Sequence, residues 1–134
     1  MIQLLLVDDD DINNFLLKYL LKKSGFEVET QVFINPAEAV QYVKKCKAEG
    51  QTIDLILLDI NMPLMSGWEV LDELRVSGES LIYDSKIFML SSSVYTTDID
   101  RADKYTEVSG FISKPIGLEK LTEIFTEITA AKVE

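Results

Sequence analysis

The chain has 134 residues, 47% apolar and 27% charged, with 23 Asp and Glu against 13 Lys and Arg, for a formal net charge of −10. That size and balance predict one globular domain with a full core and exclude a disordered chain. The acidic surplus, with only Arg75 and Arg101 as arginines, argues against binding nucleic acid or an anionic membrane surface, and the absence of histidine excludes histidine-based catalysis, histidine-containing zinc sites and a phosphohistidine carrier.

The apolar run Ile2–Val7 reads as a buried strand that stops at Asp8, Asp9, Asp10 and Asp11. A strand ending at Val7 leaves Asp8 and Asp9 at the rim of a sheet and gives Asp10 or Asp11 the task of capping the next helix. That helix is predicted over Ile12–Ser24, with Gly25 as its stop. Its apolar face is read as Ile12, Phe15, Leu16, Tyr19 and Leu20, which leaves Leu17 and Leu21 off the core face as exposed leucines. The more polar strand Glu27–Phe33 suits a sheet edge.

Asn35-Pro36 opens a second helix with proline at its first position, and Gly50 follows it. The single Cys46 falls within this helix as an ordinary packing residue; it can form no internal disulfide and fits a reducing compartment. Asp54–Leu58 is a near-continuous apolar strand that stops at Asp59. Met62, Pro63, Met65 and Gly67 shape the loop after it. A third helix is expected from near Gly67, burying Val70, Leu71 and Leu74, with Trp68 at the loop edge near the site. Ser77–Ser85 reads as a long polar loop. Then come the strand Lys86–Leu90 with Ser91 at its end, a fourth helix around Asp98–Tyr105, the strand Gly110–Ile112, and a fifth helix Leu118–Ala131 with Leu118, Leu121, Ile124, Phe125 and Ile128 at helical spacing.

Strand–helix alternation of this kind predicts an α/β fold with a doubly wound five-stranded parallel sheet and right-handed crossovers. Ligands of such sheets bind at the carboxyl ends of the strands. Asp8, Asp9, Asp59, Ser91 and the segment before Lys114 all fall at that edge. Carboxylates gathered there repel one another unless a proton or a metal neutralises them, and hard oxygen ligands suit Mg²⁺. No linker or repeat is evident, and no apolar run approaches the ~18 residues of a membrane span. A single domain over residues 1–134, without a leader or output domain and in the cytoplasm, is the expectation.

Four segments, Leu-Leu-Val-Asp-Asp-Asp (5–10), Leu-Leu-Asp-Ile-Asn-Met-Pro-Leu-Met-Ser-Gly (57–67), Met-Leu-Ser-Ser (89–92) and Gly-Phe-Ile-Ser-Lys-Pro (110–115), follow one another at successive strand ends. Together they resemble the receiver domain of bacterial response regulators, of the stand-alone, chemotaxis-regulator-like kind, over essentially the whole chain. The resemblance implies the (βα)5 flavodoxin-like receiver fold. It implies Asp59 as phosphoacceptor, with Mg²⁺ (or Mn²⁺) held by Asp8, Asp9, Asp59 and the backbone carbonyl of Asn61. Lys114 would contact the phosphoryl group, with a cis bond to Pro115. Ser91 would be the switch hydroxyl and Phe111 the switch aromatic, a ring that lacks the phenol of tyrosine. Asn61 and Ser93 occupy the positions that modulate acyl-phosphate lifetime. The partners implied are a histidine kinase or histidine phosphotransfer protein as donor, docking on the first-helix side, and a downstream protein target. The output would be carried by Tyr95, Tyr105 and the face built from the fourth helix, fifth strand and fifth helix.

Three other readings compete. A flavodoxin-type FMN binder shares the topology, but four aspartates stand where its phosphate cradle should be. A Mg²⁺-dependent phosphohydrolase of the dehalogenase type would use Asp8 as nucleophile and leave Asp59 without a role. A receiver-like scaffold that is never phosphorylated is opposed by the complete set Asp8, Asp9, Asp59, Ser91 and Lys114.

Overall fold

The computed structural model describes residues 1–76, 79–92, 100–101 and 103–133. In chain order the elements are β1 (Ile2–Val7), α1 (Asp11–Ser24), β2 (Val28–Phe33), α2 (Pro36–Ala48), β3 (Leu55–Asp59), α3 (Gly67–Glu73), β4 (Arg75–Val76), β5 (Glu79–Ser80), β6 (Lys86–Ser91), β7 (Gly110–Ser113) and α4 (Leu118–Val133). Five strands form one parallel sheet in the order β2-β1-β3-β6-β7. The polar β2 is an edge strand, as its composition suggests, and the strand order reverses between β1 and β3, which places a topological switch point beside both acidic strand ends.

Alternate residues of the central strands feed two separate cores. Leu5, Val7, Ile56, Leu58, Ile87 and Met89 pack with Val40 and Val43 of α2 and Trp68 and Leu71 of α3. On the opposite face, Leu4, Leu6, Leu55, Leu57, Phe88 and Leu90 pack with Leu17 of α1 and Leu121, Ile124, Phe125 and Ile128 of α4. Leu118, expected on that core face, is instead exposed at the start of α4. Cys46 is buried within α2.

The face assigned to α1 is corrected. Ile12, Phe15, Leu16 and Tyr19 are 75%, 71%, 41% and 52% exposed, whereas Leu17 is 1% exposed and Leu20 and Leu21 lie against the core. At 100° per residue α1 carries two apolar stripes, and periodicity cannot say which one meets the sheet. The start of the helix decides. Asp10 caps it, its side chain accepting from the backbone N–H of Ile12 and Asn13, while Asn13 and Asn14 turn inward to bond Asp8. That phase carries Leu17 onto the sheet and Phe15 into solvent.

Two further expectations change. The stretch read as a loop over Ser77–Ser85 is partly ordered as a small antiparallel pair, with Arg75 opposite Ser80 and Val76 opposite Glu79. It continues through the fully buried Ile82 to Ser85, whose hydroxyl donates to the Ile53 carbonyl at 2.6 Å. Residues 77 and 78 lie outside the described residues. In the region of the expected fourth helix, Asp100 and Arg101 are helical, Asp103 and Lys104 form turns on them, and residues 98, 99 and 102 lie outside the described residues, as do Ser93 and Tyr95.

Candidate phosphoacceptor site

Asp8 follows the last residue of β1, and Asp59 ends β3. Because Val7 pairs with Leu58, the two carboxylates come up side by side at the rim. Both are buried, at 0% and 4% exposure, while Asp9 is exposed. Asp8 Oδ1 accepts the Asp10 backbone N–H at 2.9 Å, and Asp8 Oδ2 accepts the Asn13 amide at 2.8 Å. From β7, Lys114 reaches between the acids, its Nζ 2.9 Å from Asp8 Oδ2 and 3.3 Å from Asp59 Oδ2.

The electrostatics follow from that crowding. Burial first, and the Asp8 charge second, push the Asp59 carboxyl up to about 7, while Lys114 pulls the other way. For Lys114, burial lowers the ammonium, but Asp8 and Asp59 outweigh it and leave the group above its ordinary value. Two acids thus share one cation. Carboxylate oxygens of Asp8, Asp9 and Asp59 lie within 4.8 Å of one another. This all-oxygen, anionic donor set suits a small hard cation such as Mg²⁺ or Mn²⁺ and no soft one.

The loop after β3 is held tightly. Gly67 N–H donates to the Ile60 carbonyl at 2.8 Å, and a Cβ at Gly67 would lie 2.5 Å from the Asp59 carbonyl oxygen. Only glycine lets α3 start so close to the acidic strand end. Ser66 caps that helix in a reciprocal capping box with Glu69. Asn61 lies on the rim, its N–H 3.4 Å from Asp59 Oδ1. Ser91 is buried at the end of β6 and its carbonyl accepts the Lys114 N–H at 2.8 Å. The exposed Ser92 lines the cleft of about 430 Å³ together with Asp9, Asp59, Asn61, Lys114 and Pro115. The Lys114–Pro115 peptide is cis.

Phe111 is half-buried, on the α2/α3 face of the sheet. Trp68 is not at a loop edge: it is 1% exposed within α3, with its ring 4.9 Å from Tyr105 and 6.1 Å from Phe111. Tyr105, expected on an output surface, is buried at 7% exposure. Its hydroxyl donates to Asp72, and the Arg75 guanidinium covers its ring at 4.5 Å while bonding Glu107 through two nitrogens. The residues missed in the sequence are Asn13 and Asn14. Their signal was two amides interrupting the helix stripe that continues as Leu17 and Leu21.

The model of the response regulator receiver domain matches residues 4–126, and the chain belongs to that family. A two-component response regulator of rice, ORR41, is 33% identical over 131 residues, covering 98% of this chain and 97% of that protein. The osmosensing histidine protein kinase SLN1 of Saccharomyces cerevisiae is 29% identical over 97% of this chain, and the sensory/regulatory protein RpfC of Xanthomonas campestris is 30% identical over 96%. The chain spans only 10% of the first of these two and 17% of the second. A crystal structure of a two-component response regulator from Cytophaga hutchinsonii superposes with a TM-score of 0.83 at 29% identity, covering 96% of both chains. The protein is thus a receiver domain of two-component signalling with a flavodoxin-like α/β fold. Among the described residues no helix is long and apolar enough to cross a membrane.

Proposed function

We propose that the protein accepts a phosphoryl group on Asp59 from a phosphohistidine donor and signals by a change of conformation. The observation that carries this reading is the buried pair Asp8–Asp59 sharing the one ammonium of Lys114. Asp59 attacks phosphorus through a carboxylate oxygen, the P–N bond of the donor breaks, and its electron pair returns to the imidazole nitrogen. Asp8, Asp9, Asp59 and the Asn61 carbonyl would hold Mg²⁺ or Mn²⁺. When bound, that cation would neutralise charge on the incoming anion.

The remaining work belongs to the chain. Lys114 is already poised between the acids, and its flexible ammonium suits transfer of its contact to the new phosphoryl oxygens. Ser91 donates its hydroxyl to another of them, and Phe111 follows by packing alone. Phosphorylation then biases two arrangements of the surface because the anion binds one better than the other. Asp8 is a poor nucleophile for the phosphohydrolase alternative, since it is fully buried and does not line the cleft that Asp59 borders.

A histidine kinase or histidine phosphotransfer protein is the partner that fits the exposed stripe of α1. Ile12 and Leu16 line the same cleft as Asp59, so an apolar helix laid along Ile12, Phe15, Leu16 and Tyr19 brings its histidine to the acid. Reading the chain as a signalling protein of the cytoplasm, without turnover of its own beyond loss of the phosphoryl group, is consistent with this. Incubation with acetyl phosphate and Mg²⁺ should add the mass of one phosphoryl group to the wild type and none to Asp59→Asn. A wild type that gains nothing, or a variant labelled equally, removes the assignment.

A further inference from the structure

Asn13 has no part in the chemistry described so far, yet it is a polar side chain 6% exposed on a helix face that otherwise packs Leu17 against the sheet. Its amide reaches Asp8 Oδ2 at 2.8 Å, and the Asp10 backbone N–H holds Asp8 Oδ1 at 2.9 Å. The first turn of α1 therefore grips the Asp8 carboxylate at both oxygens and fixes its rotation. Lys114 shares Oδ2 at 2.9 Å, but a lysine ammonium on a four-carbon stem is a movable partner, whereas an asparagine in the first helical turn is short and stationary. A carboxylate accepts about four hydrogen bonds or metal contacts, so these donors leave room for a further ligand.

We propose that Asn13 is a positioning residue for the divalent cation. It holds the Asp8 carboxylate in the orientation from which Asp8, Asp9 and Asp59 take up Mg²⁺, and it keeps that hold when Lys114 turns to the phosphoryl group. The inference rests on the metal-assisted reading above. Partners that orient a metal-binding carboxylate commonly change metal affinity by about 10–100-fold when removed.

Calorimetric titration of Mg²⁺ into the full chain tests it, alongside thermal unfolding without metal. Two substitutions remove the amide: Asn13→Leu, which keeps most of the volume, and Asn13→Ser, which stays polar but is too short to reach Asp8. A third, Asn14→Ala, serves as control, because Asn14 donates to the backbone carbonyl of Asp8 at 2.9 Å and not to its carboxylate. Both Asn13 variants should bind Mg²⁺ about 10-fold more weakly, and whichever of them folds decides the matter. Asn14→Ala should lower the melting temperature and leave the affinity near that of the wild type. Unchanged affinity in a folded Asn13 variant overturns the inference, as does an equal loss in Asn14→Ala, which would mean a general loosening of the loop. A wild type that binds no Mg²⁺ overturns the metal reading itself, a distinct outcome.

Discussion

Asp59 is held in the environment least suited to its charge, buried beside a second acid. Its carboxyl is pushed up to about 7, above the unfolded value near 4, so between those limits the folded protein binds the extra proton. Stability of the metal-free protein must therefore fall as pH rises from about 4 to about 7, with the full penalty present above that range. Asp59→Asn relieves it. In EDTA, denaturant unfolding should find the variant more stable than the wild type at pH 8. The gain should vanish near pH 4. A gain independent of pH would show that charge at Asp59 is not its source. The same crowding that costs stability keeps Asp59 in contact with the Lys114 ammonium.

Helix α1 is the element whose role tertiary structure reassigns. Leu17 is a core residue at 1% exposure, and burying such a side chain contributes about 1.5–3 kcal/mol. Leu17→Asp should therefore cost more than the ~2–5 kcal/mol of a Leu→Ala cavity, because it buries an unpaired charge as well. It should yield a protein unfolded by circular dichroism. Phe15→Asp lies on the solvent side and should change stability by less than about 0.5 kcal/mol. Transfer from a phosphorylated histidine phosphotransfer protein should slow in Phe15→Asp while labelling by acetyl phosphate proceeds at the wild-type rate. Equal slowing from both donors would place the defect in the site rather than in docking. The helix thus works twice, with an inward stripe that anchors the Asp8 loop and an outward stripe that borders the cleft.

At the scale of the molecule, the site is assembled from the ends of three strands far apart in sequence, which bring Asp8, Asp59 and Lys114 together. Ligand binding to the native state alone stabilises by mass action, about 2.7 kcal/mol at a hundred times the dissociation constant. Mg²⁺ should raise the melting temperature of the wild type progressively with concentration, and Na⁺ at equal ionic strength should not reproduce the effect. Asp8→Ala, which removes one carboxylate of the proposed cation site, should abolish most of that response; a response that survives would locate the cation elsewhere. Around the site, the Arg75–Glu107 pair, with Tyr105 between Arg75 and Trp68, ties the end of α3 to the segment that enters β7. Phe111 touches this cluster through Trp68.

Much of this was legible in the chain itself. Apolar runs that stop at Asp8 and Asp59, the order of strands and helices, and the sheet edge at Glu27–Phe33 are local properties, set by side-chain period and by turn residues such as Gly25 and Pro36. The positions of Ser91 and Lys114 at strand ends were legible in the same way. The phase of α1 was not, since two stripes satisfy the same 3.6-residue period and only contact with the sheet chooses between them. Nor were the grip of Asn13 on Asp8, the burial of Tyr105 or the place of Trp68, which depend on neighbours remote in sequence. Local pattern specifies which elements form and where their ends fall; long-range packing and the balance of buried charge decide which side chains meet.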